Sequence, residues 1–437
     1  MITTSLLPRD LDFHRLKMFV DQDSVKVVTG IRRCGKSSLL KLMAQYLSSH
    51  GVSDNQILQM NFESMQYSSM TYGELYRFVA SRMLPGKRLY LFLDEIQRVD
   101  RWEDAVNSFR VDFDCDIYIT GSNSKLLSSE FSNLLSGRYV QIRMLPLSFS
   151  EFLKFNGYTV KQSKDAFGRN RFQVFNKQTD SCSMDELMRL YFRIGGMPVL
   201  AGYGFDSERI RILLDGIYST VLLRDIIDRG KANGMSMVTD VELLRKISGF
   251  LADNIGNPVS MSSIGNMLVS QKEIEQCSHK AVPADKTVKS YVDALVQAYV
   301  FYEAKRYDIK GKEYLKTLGK YYIVDPGLRG YLIGFDEKDT GRLMENIVFL
   351  ELYRRGYEIG VGKIGNLEID FSARKDDEKL FLQVCQSMDD PDTAEREVRP
   401  FKKLENGYEK LIITLHEPMA DQYEGYPIIS LASWLLG

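Results

Sequence analysis

A chain of 437 residues, 44% hydrophobic and 26% charged, has material for about two to four domains and a large buried core. Its formal net charge of -1 leaves any nucleic-acid contact to local basic clusters, and no apolar run reaches the roughly 18 residues of a membrane helix. Five cysteines (Cys34, Cys115, Cys182, Cys277, Cys385) without a CxxC pair argue against a disulfide framework and a zinc site, and the N-terminus carries no signal-peptide pattern, so a cytoplasmic protein is expected.

The first legible element is VKVVTGIRRCGKSSLLKLM, Val25 to Met43. An apolar strand-like run, a glycine loop and a helical pattern stand in the order that a phosphate-binding loop needs, and Gly30, Gly35, Lys36 and Ser37 complete GxxxxGKS. Backbone N–H groups of such a loop curl around phosphate oxygens while the positive end of the next helix faces the same anion. The candidate nucleotide-binding set is therefore Gly30, Ile31, Arg32, Arg33, Cys34, Gly35, Lys36, Ser37 and Ser38. Lys36 is assigned to the β- and γ-phosphates of ATP, Ser37 to Mg²⁺ and Ser38 to the α-phosphate.

Next comes RLYLFLDEIQRV, an apolar run ending in Asp94 and Glu95, the pattern of a buried parallel strand delivering two carboxylates at its C-terminal end. Asp94 is expected on the Mg²⁺ side, and Glu95 is expected to orient or deprotonate the attacking water. A third strand, CDIYITGSNSKLL, ends in small polar residues, and Asn123 or Ser122 is the candidate γ-phosphate sensor. Guanidinium groups stabilise charge developing on a transferred phosphoryl group. Arg32 and Arg33 in the loop and Arg138 in LLSGRYVQIRMLPLSFSEFL are each a sensor, a finger donated to a neighbouring chain, or a solvated surface arginine.

The loop GIRRCGKSSL, the strand LFLDEIQRV and the stretches ITGSNSKLLS, LSGRY and LPLSFSEF together resemble a family of prokaryotic P-loop ATPases of the AAA class, STAND-like and of the archaeal-ATPase type. In that family an ATPase domain precedes a C-terminal domain of unassigned function. The resemblance continues through YFRIGGMPVL, VLLRDIIDR, KYYIVDPGLRGYLIG and LMENIVFLELYRRGY, nearly the whole chain.

Beyond the ATPase core, expected over 1–150, KFNGYTVKQSKDAFGRNRFQVFNKQTDSCS is polar and unperiodic and reads as a long loop or excursion. Helical periodicity returns in MDELMRLYFRIGGMPVLAG and ERIRILLDGIYSTVLLRDIIDR, making 151–235 a lid and connector. Over 236–335, three helical segments and the strand-like runs VFYEAKRYD and YLKTLGKYYIVD suggest a winged helix-turn-helix, a shape shared by duplex-binding modules and by packing modules. From Glu303 to Lys320 the wing carries six basic residues (Lys305, Arg306, Lys310, Lys312, Lys316, Lys320) against three acidic ones, a balance that fits a few phosphate contacts. The early turns of its third helix offer Lys286, Thr287, Lys289 and Ser290, little for reading base edges. Cys277 and His279 are too few for a metal site.

From 336 onward RLMENIVFLELYRRGYEI, GNLEIDFSARK and LFLQVCQS resemble the PD-(D/E)xK nuclease fold. Glu345 and Asp370 match its helix and first-strand acids, and Glu368 shares the strand face of Asp370. Where E-x-K would stand the chain has Gln383, Val384 and Cys385, so the resemblance implies a retained fold without its cleavage chemistry. The whole is read as an α/β protein: a P-loop NTPase parallel sheet with a helical lid, then a winged helix-turn-helix, then a small α/β restriction-endonuclease-like domain. The expected function is Mg²⁺-dependent ATP hydrolysis as a conformational switch, with DNA, a protein partner or a second copy as the object acted on. The alternatives are a nucleotide-gated binding module with little turnover and a Mg²⁺-dependent DNA-processing nuclease.

Overall fold

The run Val25–Thr29 forms strand β1, buried at every position inside a five-stranded parallel sheet, as a strand covered on both faces should be. In the computed structural model, which describes residues 6–123, 137–165, 168–228, 238–270, 284–309, 311, 313–314, 318–404 and 407–437, the chain divides into two units. The first is Met1–Met144 with Gln297–Tyr299, and the second is Leu145–Val296 with Val300–Gly437.

In the first unit, helix α1 (Asp10–Lys17) precedes β1, and α2 (Lys36–Ser49), β2 (Ile57–Asn61), α3 (Tyr72–Ala80), β3 (Leu89–Asp94), α4 (Trp102–Asp112), β4 (Cys115–Gly121) and β5 (Tyr139–Arg143) come after it. Across the sheet the order is β2-β3-β4-β1-β5, so β4 lies between the glycine-loop strand and the acidic strand. Alternate residues Val25, Val27, Leu89, Leu91, Leu93, Ile117 and Ile119 pack in one core with Leu75, Val79, Val106 and Phe109 of α3 and α4. Each such burial stabilises by about 1.5–3 kcal/mol, which holds the strand ends, and the residues they carry, in place. The alternate positions include a fully buried ion pair, Lys26 with Asp116, whose carboxylate also accepts from Tyr118 Oη at 2.8 Å.

The second unit begins with α5 (Phe149–Phe155), started by a capping box in which Ser148 and Glu151 satisfy each other's backbone N–H groups. The stretch expected as an unperiodic excursion then forms an antiparallel sheet of β6 (Thr159–Lys164), β7 (Asn170–Phe175) and β8 (Ser181–Cys182). Of its strand residues only Val174 is buried, so the apolar alternation that announces a strand is nearly absent. Arg169 pairs with Asp421, and Arg171 with Glu417 at 3.0 Å.

Helices α6 (Met184–Ile194) and α7 (Ser207–Thr220) lead into a π-helical segment, Val221–Asp228, and then α8 (Val241–Asp253), α9 (Met261–Ser270) and α10 (Asp285–Gln297). Strands β9 (Phe301–Asp308), β10 (Glu313–Tyr314) and β11 (Lys320–Ile323) come next, with β9 and β11 antiparallel. The rest is α11 (Pro326–Ile333), α12 (Thr340–Arg355), β12 (Glu358–Ile364), β13 (Leu367–Lys375), β14 (Glu378–Cys385), α13 (Pro391–Val398), β15 (Glu409–Thr414), β16 (Gln422–Tyr423), β17 (Tyr426–Ser430) and α14 (Leu431–Leu436). The hairpin is continuous with the C-terminal strands: β9 pairs parallel to β12, from Lys305 opposite Gly360 to Asp308 opposite Lys363. One nine-stranded sheet results, ordered β10-β9-β12-β13-β14-β15-β17-β16 with β11 on β9, and the divisions expected at 235 and 335 fall inside this unit.

Two of the quoted motifs meet in a buried joint. Asp325 accepts from the N–H groups of Gly196 at 2.6 Å and Leu328 at 2.9 Å, and burial pushes its carboxyl up to about 6. A Cβ on Gly327 would stand 1.9 Å from the carbonyl oxygen of Ile194, so that contact requires glycine. Among the described residues no helix is long and apolar enough to cross a membrane, and Cys34, Cys115, Cys182 and Cys385 are free thiols. Cys277, His279, Lys310, Lys312 and Lys316 lie outside the described residues.

Candidate functional site

The glycine loop turns directly from β1 into α2. Gly30 (φ 150°) and Gly35 (φ 105°) take conformations that favour glycine, and a Cβ at Gly30 would lie 2.2 Å from the carbonyl oxygen of Met144. Arg33 adds a left-handed residue at φ 68°, and the resulting curl is of the kind that presents backbone N–H groups to an anion. Lys36, only 5% exposed, donates to the loop's own carbonyls, Gly30 at 2.9 Å and Ile31 at 3.1 Å. An ammonium over a loop at a helix N-terminus fits a phosphate group. Ile31 and Cys34 point their side chains into the core, so only their backbone faces the loop, and burial pushes the Cys34 thiol up and makes it inert. Arg32 is engaged by Glu63, Arg33 is exposed, and Ser38 sits half-buried in the first turn of α2.

Asp94 ends β3 in a ring of neutral donors. Its Oδ1 accepts from Thr120 Oγ1 at 2.5 Å and its Oδ2 from Asn61 Nδ2 at 3.1 Å, and the Ser37 hydroxyl lies close enough to favour its charged form. Burial raises the Asp94 pKa, the Thr120 and Ser37 hydroxyls oppose the rise, and Glu95 adds to it. A carboxylate and a hydroxyl side by side suit Mg²⁺, which takes one or two protein oxygens and completes its shell with water and phosphate. Among the described residues no group of three His, Cys, Asp or Glu could hold a metal by itself.

Glu95, 7% exposed, stands at φ 56°. Its backbone N–H donates to Thr120 Oγ1 at 2.9 Å, and its Oε2 accepts from Gln97 Nε2 at 2.5 Å and Ser122 Oγ at 3.3 Å. The two sensor candidates, Ser122 and Asn123, are both buried at the end of β4, with Ser122 on Glu95. One hydroxyl, that of Thr120, therefore serves both acidic residues. Sequence reasoning missed Thr120, Asn61 and Arg9, whose guanidinium donates to the Cys34 carbonyl at 3.1 Å. Polar residues at the C-terminal ends of β2 and β4 were the available signal for the first two, and Arg9 carried none.

The register bears on Arg138, for which action on its own chain's nucleotide, action on a neighbour's and a surface role were all open. The parallel register sets Val25 against Tyr139 and Thr29 against Arg143, so Arg138 lies at the end of the sheet away from the loop. The separation along the strand is roughly 16 Å, beyond the reach of one side chain. It is exposed there. Arg143, not singled out from the sequence, is the arginine of β5 level with the loop end of β1.

The second unit gathers Glu345, Glu368 and Asp370 around Lys320, which is 4% exposed. Lys320 Nζ lies 3.0 Å from Glu345 Oε1 and 2.8 Å from Glu368 Oε1, and Tyr322 Oη donates to Glu345 at 2.7 Å. Burial disfavours the charged lysine, but Glu345, Asp370 and Glu368 outweigh it and raise its pKa. Burial and then Glu345 push Asp370 far above the usual carboxylate range. Gln383 accepts from the Asp370 N–H at 2.8 Å and donates to Glu397 at 3.0 Å. The charge reading of the wing is corrected accordingly: Lys320 is spent on Glu345 and Glu368, and Arg306 lies 3.5 Å from Glu368, so neither faces outward toward phosphates.

Residues 22–153 match the family model of an AAA domain, and residues 185–339 match a domain of unknown function (DUF8612). An uncharacterized protein of Haemophilus influenzae is 37% identical over 440 residues, covering 100% of both chains. An uncharacterized protein of Methanocaldococcus jannaschii is 29% identical over 390 residues, covering 87% of this chain and 78% of the other. Among solved structures, the Orc1 protein of Aeropyrum pernix in complex with DNA is 14% identical at a TM-score of 0.31, covering 75% of this chain and 92% of that one. A DNA polymerase III gamma subunit-related protein of Thermotoga maritima is 10% identical at 0.27, covering 65% and 92%.

Proposed function

The chain belongs to a family of P-loop proteins with an AAA domain, and from that premise we propose that it hydrolyses ATP with Mg²⁺ as a conformational switch acting on its second unit. The observation that carries this reading is the placement of Asp94, at the end of β3, beside Ser37, at the start of α2, and the buried Lys36. Phosphoryl transfer asks the protein mainly for positioning and charge stabilisation, and these groups provide both.

In this reading the N–H groups of Gly30 to Ser38 and the Lys36 ammonium bind the phosphates. Ser37 and Asp94 hold Mg²⁺, which when bound neutralises charge between the β- and γ-phosphates. Glu95 takes the proton of the attacking water, and Asn123 with Ser122 reads the γ-phosphate. Arg138, out of reach within its own chain, contributes only where a second copy presents it.

The second unit serves as the contact surface that the switch repositions. The neutralised Lys320 cluster argues against cleavage chemistry there. Steady-state ATP hydrolysis of wild type, Lys36→Ala and Glu95→Gln, with and without duplex DNA at two salt concentrations, tests the reading. Mg²⁺-dependent turnover lost in both variants is expected, and wild type without turnover overturns it. Stimulation by DNA that fades with salt would identify phosphate contacts, and indifference to DNA would leave a protein partner.

A further inference from the structure

The peptide joining Cys34 to Gly35 sits in the bend of the glycine loop. Gly35 takes φ 105° at the N-cap of α2, and a Cβ there would meet no non-neighbouring atom nearer than Met144 Cε at 3.7 Å, so packing does not set the plane of this peptide. A hydrogen bond does. Arg9, at the N-cap of α1 and only 4% exposed, donates from Nη1 to the Cys34 carbonyl at 3.1 Å. Its Nη2 lies 3.3 Å from the Oδ2 of the buried Asp12. Helix α1 is seated on α2 in turn, with Leu16 fully buried and the Phe13 and Tyr46 rings edge to face at 5.8 Å. The Cys34–Gly35 peptide is trans, and a trans peptide is planar with its C=O and N–H pointing opposite ways. A buried guanidinium that holds the Cys34 oxygen therefore turns the Gly35 N–H away from the interior, toward the side from which a phosphate approaches. Beyond Gly35 the helix fixes the next peptide itself, through the Leu39 N–H on the Gly35 carbonyl at 3.0 Å.

Resting on the phosphate-loop and ATPase reading above, we infer that Arg9 is a positioning residue for the nucleotide, locking the Cys34–Gly35 peptide with its N–H toward the phosphates before ATP arrives. Such pre-organisation removes an ordering cost from binding. Turned over, the same peptide would set a carbonyl oxygen against phosphate oxygens, acceptor against acceptor. Without the guanidinium both orientations are open to a glycine, and only one of them binds. Apparent affinity falls by the competent fraction, so a loop competent roughly a tenth of the time binds about tenfold more weakly. Bound nucleotide selects the competent orientation, and saturated protein then turns over as before. The effect falls on KM and not on kcat.

Arg9→Met removes the donor and keeps an unbranched apolar stem. Its Kd for ADP, measured calorimetrically well below the melting temperature, should rise about tenfold, and KM for ATP should rise with it while kcat stays within about threefold. Phe13→Leu loosens α1 from α2 without touching the bond to Cys34. It should lower the melting temperature and leave Kd and KM at wild-type values. Because Arg9→Met leaves the Asp12 carboxylate buried, the double variant Arg9→Met/Asp12→Leu, which removes both charges, is the second test and should show the same loss of affinity. A wild-type Kd in either Arg9 variant overturns the inference, and so does an equal loss in Phe13→Leu, which marks a structural role of α1. A fall in kcat at unchanged Kd overturns it as well. A wild type that binds ADP without hydrolysing ATP overturns the ATPase reading, while the Kd comparison still decides the role of Arg9. One that binds no ADP overturns both.

Discussion

The carboxylates at the end of β3 and those gathered around Lys320 are held by opposite kinds of partner. Asp94 and Glu95 are surrounded by neutral donors: Thr120, Asn61, Ser37, Gln97 and Ser122. Glu345 and Glu368 share an ammonium, that of Lys320. A neutral donor orients a carboxylate without cancelling its charge, so the charge remains available to a cation or a proton. A buried lysine cancels it. The same residue type thus keeps its charge open at the end of β3 and is paired beside Lys320, and what decides is the partner and not the acid.

The largest effect that would sharpen this contrast is in turnover. Glu95→Gln should lower steady-state ATP hydrolysis by about 10²–10⁴-fold while leaving nucleotide binding intact, whereas Asp370→Asn should leave the rate unchanged. A rate that falls in both would break the division of labour between the units. Next, Lys320→Met should destabilise the second unit by about 3–5 kcal/mol in urea unfolding, because it leaves buried carboxylates unpaired. A cost near zero would show that the cluster is not a lock.

Thr120→Val, which loses the hydroxyl shared by Asp94 and Glu95, should reduce turnover or Mg²⁺ affinity by about tenfold to a hundredfold, and Thr120→Ser should restore it. The smallest effect is one of pH. Asp325 has a folded pKa of about 6, above the roughly 3.9 of a free aspartate. Between these values the folded state holds more protons than the unfolded state, so the contribution is fully present below about pH 4 and is lost as pH rises through about 6. Denaturant titrations across that window should show stability falling with pH, and Asp325→Asn should flatten the slope.

The phosphate loop was legible because its chemistry is local: Gly30, Gly35, Lys36 and Ser37 lie within one short segment. Glu95 and Asp94 were legible because an apolar run ended on them. Thr120 was not, since only the β3–β4 register brings it to carboxylates some 26 positions away in the chain. Lys320 shows the same limit from the other side. Counted along the chain it was one of six wing cations, yet the pairing of β11 with β9 and of β9 with β12 turns it into the acids of α12 and β13. The β6–β8 sheet left almost no trace because all but one of its strand residues stay at least partly exposed, so there is little buried face for an apolar alternation to mark.

The parallel pairing of β9 with β12 bears on how the gene can be dissected. A fragment starting near residue 336 begins after β9 and leaves the backbone of β12 without its neighbour, exposing Val361 and an unpaired edge. Such an edge invites strand addition from other copies, so the fragment should aggregate on expression. One that starts ahead of α8 is longer but carries β9, and with it the partner strand of β12.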